Sequence, residues 1–129
     1  MKYYFNKTLT GSYSTVKQHV IESLKEQGFG ILTEINVQTT LKNKLNVDFH
    51  KYEILGACNP KMAYQALQAE EKVGTMLPCN VIIQQKEPEG PVEVSAVDPV
   101  ASMKAIENAT LEKIASEVRT MLQHFIESL

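Results

Sequence analysis

The 129 residues suit one domain, residues 1–129, and 43% hydrophobic with 22% charged residues is the balance of a soluble chain that can bury its own core. Thirteen basic residues stand against fifteen acidic ones, for a formal net charge of −2, and Arg119 is the only arginine. Nucleic acid is therefore not expected as a partner, because phosphate binding draws on a basic stripe that the chain lacks.

No apolar run approaches the roughly 18 residues that cross a bilayer, so no membrane partner is expected. The first residues, MKYYFNKTLTG, alternate in polarity and lack the continuous apolar stretch of a signal peptide. The expectation is a cytoplasmic protein whose two cysteines are free thiols.

Residues 2–9, KYYFNKTL, place Tyr3, Phe5 and Leu9 among polar neighbours and predict a first strand. Gly11 breaks it. Ser14 is the expected N-cap of a helix with Val16, Val20, Ile21 and Leu24 on one side, and Gly28 stands where a helix end takes positive φ. Residues 29–36, FGILTEIN, read as a second strand with Phe29, Ile31, Thr33 and Ile35 on one face and Glu34 on the opposite, solvated face. Val37, Leu41 and Leu45, spaced by four, predict a short helix over 37–48.

Residues 50–58 form the third expected strand, Tyr52, Ile54 and Cys58 pointing one way and Lys51 and Glu53 the other. A helix follows over 60–72 with Met62, Ala63, Ala66, Leu67 and Ala69 inward. Residues 79–87 and 91–98 are two further strands, and Pro88-Glu89-Gly90 between them is a hairpin signal. Asp98 caps a helical turn. Leu111, Ala115, Val118, Leu122, Phe125 and Leu129 then mark an amphipathic helix that lies across a sheet or against a partner's helix.

Each cysteine, Cys58 and Cys79, is followed by asparagine. Asn59-Pro60 reads as a helix start: asparagine caps, and proline at the first helical position gives up only an N–H without a partner there. Leu77-Pro78 calls for an extended approach to a strand that begins at Cys79. Both pairs are punctuation first, and each thiol is expected to behave as a small buried hydrophobe.

Two other chemistries stay open. Cys58, Cys79 and His50 could gather around a metal, although the clustered spacing of zinc sites is missing. Cys58 or Cys79 could act as a nucleophile with His50 or Glu34 assisting, and no C-x-x-C motif points to redox work. The glycines form no phosphate-binding pattern, and no cofactor can be named. The free N–H groups of the helix that Asn59 opens form a candidate anion site.

The blocks GFGILTEINVQTTLKNKL (28–45), YEILGACNPKMAYQAL (52–67), LPCNVIIQ (77–84) and VEVSAVDP (92–99) resemble the family catalogued as domain of unknown function 302, across nearly the whole chain. One departure is Asn36, where an aspartate is expected after TEI. The resemblance implies an α+β fold of β-α-β(4)-α type, a curved antiparallel sheet with helices on one face, similar to the TATA-binding-protein fold class. It also implies a homodimer, and the wide apolar stripe of the last helix adds to that expectation. No activity is established for such proteins, so the resemblance supplies no catalytic residue. The combined expectation is a small cytosolic homodimeric module that binds a small molecule or anion near Glu34, Cys58, Asn59 and Cys79.

Overall fold

Alternation along five strands decides which residues meet the helices. The computed structural model of the chain describes residues 2–129. Its strands are β1 (Tyr4–Leu9), β2 (Gly30–Asn36), β3 (Lys51–Cys58), β4 (Cys79–Gln85) and β5 (Val92–Val97). They form one sheet in the order β1-β5-β4-β3-β2, every neighbouring pair antiparallel. The helices are α1 (Tyr13–Glu26), α2 (Val37–Leu45), α3 (Pro60–Ala69), α4 (Pro99–Ser102) and α5 (Ala109–Ser128), with a 3-10 turn at Val73–Met76. The order is the expected β-α-β(4)-α pattern with short helices inserted between strands.

On one face, Leu55 pairs with Val81 and Ala57 with Cys79, while Val81 pairs with Ala96 and Ile83 with Val94. These residues are buried in a single core with Val16, Val20 and Leu24 of α1 and with Met62 and Ala66 of α3. The long helix α5 supplies most of the rest, with Leu122 and Phe125 fully buried and Leu111, Ile114, Val118 and Ile126 nearly so. Its stripe is thus covered within the chain and lends no weight to a dimer.

The other face carries Ile35, Ile54 and Ile82 in register across β2, β3 and β4, and Tyr52 opposite Gln84. Tyr52 and Ile54 do share a face, as expected.

β2 departs from the expected alternation. Ile31 lies opposite Ala57 but Thr33 lies opposite Gly56, so Leu32 is the extra residue of a bulge. One inserted residue reverses the parity of everything after it. Thr33 and Ile35 therefore turn to the open face, away from Ile31. Glu34 turns to the helix side opposite Leu55, where Lys17 of α1 meets it at 2.9 Å.

The helix boundaries shift for local reasons. The N-cap of α1 is Ser12 rather than Ser14: its Oγ accepts the Thr15 N–H at 3.2 Å, and Ser14 is already helical. Taking Tyr13 into the helix lets its hydroxyl donate to the Ile83 carbonyl at 3.1 Å. α2 stops at Leu45 because Asn46 adopts the left-handed conformation, φ 54, that commonly closes a helix. α3 stops at Ala69, short of Lys72, and its Leu67 is 47% exposed instead of inward. Asp98 does cap the turn α4, accepting from the Val100 N–H at 3.0 Å, and its other oxygen takes the Arg119 Nε–H at 3.0 Å.

Candidate functional site

β3 ends at Cys58, and Asn59 and Pro60 turn the chain into α3. The Asn59 Oδ1 accepts the Met62 N–H at 3.3 Å, the N-cap bond that the sequence calls for. Cys79 opens β4 opposite Ala57, so the two cysteines sit at the same end of neighbouring strands. Both are free, Cys79 buried and Cys58 half-buried. The Leu77 backbone is extended, as its place before Pro78 requires.

A cavity of about 290 Å³ lies at this end of the sheet, between the strand ends, α3 and α5. Ala57 and Cys79 belong to its sheet wall, Met62 and Ala66 to its α3 wall, Leu111 and Ala115 to its α5 wall. The space exists because small side chains stand where larger ones would meet: four alanines from three elements line it. Leu32, thrown out by the β2 bulge and 66% exposed, and Leu67 stand at its solvent side. Among the described residues lining it, Asn59 is the only one with a side-chain amide, hydroxyl or charge.

The Asn59 side chain is held from two directions. Its oxygen caps α3, and its Nδ2 donates to the Met121 Sδ of α5 at 3.7 Å. Gly28 leaves room for the amide. With φ 87 it needs the freedom of glycine, and a Cβ there would come within 3.1 Å of Nδ2.

Of the four residues singled out in the sequence, the structure brings Cys58, Asn59 and Cys79 together on this cavity and leaves Glu34 outside it. Glu34 belongs to a clamp in which Lys17 bridges Glu34 at 2.9 Å and Glu53 at 2.8 Å. The hydrogen bonds to Glu53 and then Glu34 raise the Lys17 pKa and keep the ammonium charged. His50 precedes the opposite end of β3, bonded through Nε2 to the Gln84 Oε1 at 3.0 Å. The eight-residue strand separates it from Cys58 by more than about 20 Å. It can serve neither thiol as a base.

Desolvation pushes the Cys79 thiol up to about 11, with the neighbouring Cys58 adding to the effect, and desolvation also raises Cys58. Both are protonated at neutral pH and are weak nucleophiles. Among the described residues, no group of three or more His, Cys, Asp or Glu could hold a metal ion.

Sequence reasoning missed the contribution of α5, whose Leu111 and Ala115 come from some fifty residues beyond Asn59 in the chain and reach the cavity only through tertiary packing. The signal available in advance was the run of alanines on the faces of α3 and α5 that point to the core.

The sequence matches, over residues 5–129, the family described as Domain of unknown function DUF302. Comparison with curated proteins gives no match. Among solved structures, the chain is similar to the crystal structure of an uncharacterized conserved DUF302 protein from Bacillus stearothermophilus. The two share 25% identity with a TM-score of 0.89, and the alignment covers 98% of each chain.

The thiol environment has a consequence for stability against pH. A thiol whose pKa is higher folded than unfolded favours the fold below the ordinary cysteine value of about 8.5, and that contribution disappears as pH rises through the folded value. For Cys79 the loss falls between about 8.5 and about 11. Urea melts are expected to show Cys79→Ala losing less stability than the wild type between those pH values. Equal losses would contradict the burial of this thiol.

Proposed function

The chain belongs to the DUF302 family, and from that premise we propose that it is a small homodimeric module that binds a neutral, largely apolar small molecule in the cavity beside Asn59. The observation that carries this reading is the cavity itself: a concave, mostly apolar space is the usual form of a small-molecule site, and about 290 Å³ lies near the lower end of the range. The lining argues for a neutral ligand. No cationic side chain among the described residues lines it, so an anion at the α3 N-terminus would find no countercharge. Glu34 is engaged by Lys17 and has no part in this reading.

A cysteine nucleophile or a thiol-based metal site has less support, because both thiols are held protonated and His50 lies at the far end of β3. The reading places the protein in the cytosol, where free thiols persist. The likeness to the TATA-binding-protein fold class is what the family resemblance implies and carries no DNA binding.

The second copy belongs on the open sheet face. Ile35, Ile54 and Ile82 form an apolar row there, and the Phe49 ring adjoins Tyr52 with centroids 6.2 Å apart. Val47 and Phe49 are 43% and 39% exposed. Five strands spaced by about 4.8 Å and about 20 Å long offer roughly 450 Å² of flat sheet. Side-chain relief and the adjoining segment at Val47 and Phe49 extend this toward the about 800 Å² per partner of a standard interface.

Titration of the labelled protein with isopropylbenzene, followed by amide chemical shifts, tests the cavity. Saturable shifts are expected at Ala57, Ala66 and Ala115, and Ala66→Leu, which fills the space, is expected to weaken binding at least about tenfold. Shifts scattered over the surface, or none, would overturn the reading.

Sedimentation equilibrium tests the dimer separately. Ile54→Lys places a charge in the middle of the apolar row and is expected to convert a dimer into the 14.5 kDa species. A wild-type protein already monomeric at micromolar concentration, or a variant that stays dimeric, would contradict the assignment of this face.

A further inference from the structure

Two contacts hold the guanidinium of Arg119, the chain's only arginine. Its Nε–H donates to the Asp98 Oδ2 at 3.0 Å, and its charge lies 5.2 Å from the centroid of the Phe5 ring. Asp98 is a firm anchor, 4% exposed, with its other oxygen accepting from the Val100 N–H. A guanidinium that gives up only its Nε–H keeps the Nη edge, two parallel N–H donors turned away from that bond. Among the described residues, no acceptor bonds to either Nη.

Arg119 lines a groove of about 430 Å³ with Lys2, Tyr4 and Ser116, and this groove shares no lining residue with the cavity beside Asn59. Ser116 and Arg119 stand three apart on α5 and so present one face. Lys2 is exposed and enters no ion pair among the described residues. The hydroxyls of Tyr4 and Ser116 have no hydrogen-bond partner among those residues, so both are free to donate. The charges do not balance. Two cations face one carboxylate whose oxygens are both engaged, in a chain whose formal net charge is −2.

We infer that this groove is a second ligand site, independent of the cavity, and that it takes a small monocarboxylate on the Nη edge of Arg119. A carboxylate matches that edge as a bidentate acceptor. Asp98 and Phe5 set the guanidinium plane before a ligand arrives, so less side-chain freedom is lost on binding. One negative charge is what the groove lacks, since it brings two cations and two carboxylates into balance. A phosphate dianion would leave excess negative charge beside Asp98.

The test uses benzoate and benzamide, probes of the same shape that differ in charge. Binding to the full chain is followed at neutral pH by the amide chemical shifts of Phe5, Val100 and Ser116. Benzoate is expected to move these three saturably, and benzamide to bind there at least about tenfold more weakly, the weight of a charge-assisted pair. Arg119→Lys keeps a cation for Asp98 and removes the planar fork, and is expected to weaken benzoate about tenfold. Lys2→Ala, at an exposed side chain, is expected to weaken it about two- to threefold. Should the Arg119→Lys protein fail to fold, Lys2→Ala and the benzamide comparison decide. Equal binding of the two probes, benzoate affinity unchanged in either variant, or benzoate shifts confined to other residues would overturn the site. Inorganic phosphate binding at these amides more tightly than benzoate would overturn the carboxylate assignment.

Discussion

Ala57 of β3 lies opposite Cys79 of β4, and two small side chains side by side leave that end of the sheet without the bulk to fill the space below α3 and α5. A helix free to settle would drop onto such a gap. α3 is not free, because an asparagine holds each end. Asn59 caps its first turn, and Asn108, itself the N-cap of α5, donates through Nδ2 to the Ala69 carbonyl at 2.7 Å where α3 ends. Two caps thus fix the separation of α3 from the sheet and tie it to the helix that forms the third wall. An unfilled apolar space costs stability in proportion to its volume, and a fold that maintains one at a site with a single polar group gives up stability where binding would restore it.

The same sheet divides the molecule's tasks by face. On the helix side, the large side chains Leu24, Leu122 and Phe125 are fully buried and make a dense core away from the cavity, while Phe29 lines it. On the open side, no helix accounts for the isoleucine row, and the chain leaves Ile35 47% exposed. The Lys17 clamp to Glu34 and Glu53 joins α1 to β2 and β3, fastening the outermost strand that carries Ile35 and the Leu32 bulge. One edge strand therefore contributes to both surfaces, Leu32 at the cavity and Ile35 on the open face.

Much of this was legible in the sequence where the cause is local. Asn59-Pro60 announces its cap, Asp98-Pro99 announces another, and the β4–β5 hairpin follows from alternation about Pro88-Glu89-Gly90. The strand and helix order followed from the residue pattern, and the resemblance to the family supplied the antiparallel sheet with helices on one face. What failed was parity and partnership. Nothing within FGILTEIN marks Leu32 as the extra residue, because the bulge depends on the register that β3 imposes, and so Glu34 and Ile35 were assigned to the wrong faces. Ser12 and Ser14 are equally good caps, and the choice between them rests on the reach of Tyr13 to Ile83, seventy residues away in the chain. Cys58, Asn59 and Cys79 could be named in advance as neighbours. The cavity they adjoin could not, since its remaining wall comes from α5.

Diffraction from a crystal under xenon pressure tests the central claim most directly, because xenon enters preformed apolar cavities without needing any polar contact. The account predicts a xenon peak enclosed by Met62, Ala66, Leu111 and Ala115, with those side chains unmoved. A crystal structure in which α3 has closed onto Ala57 and Cys79 and no xenon enters would contradict it.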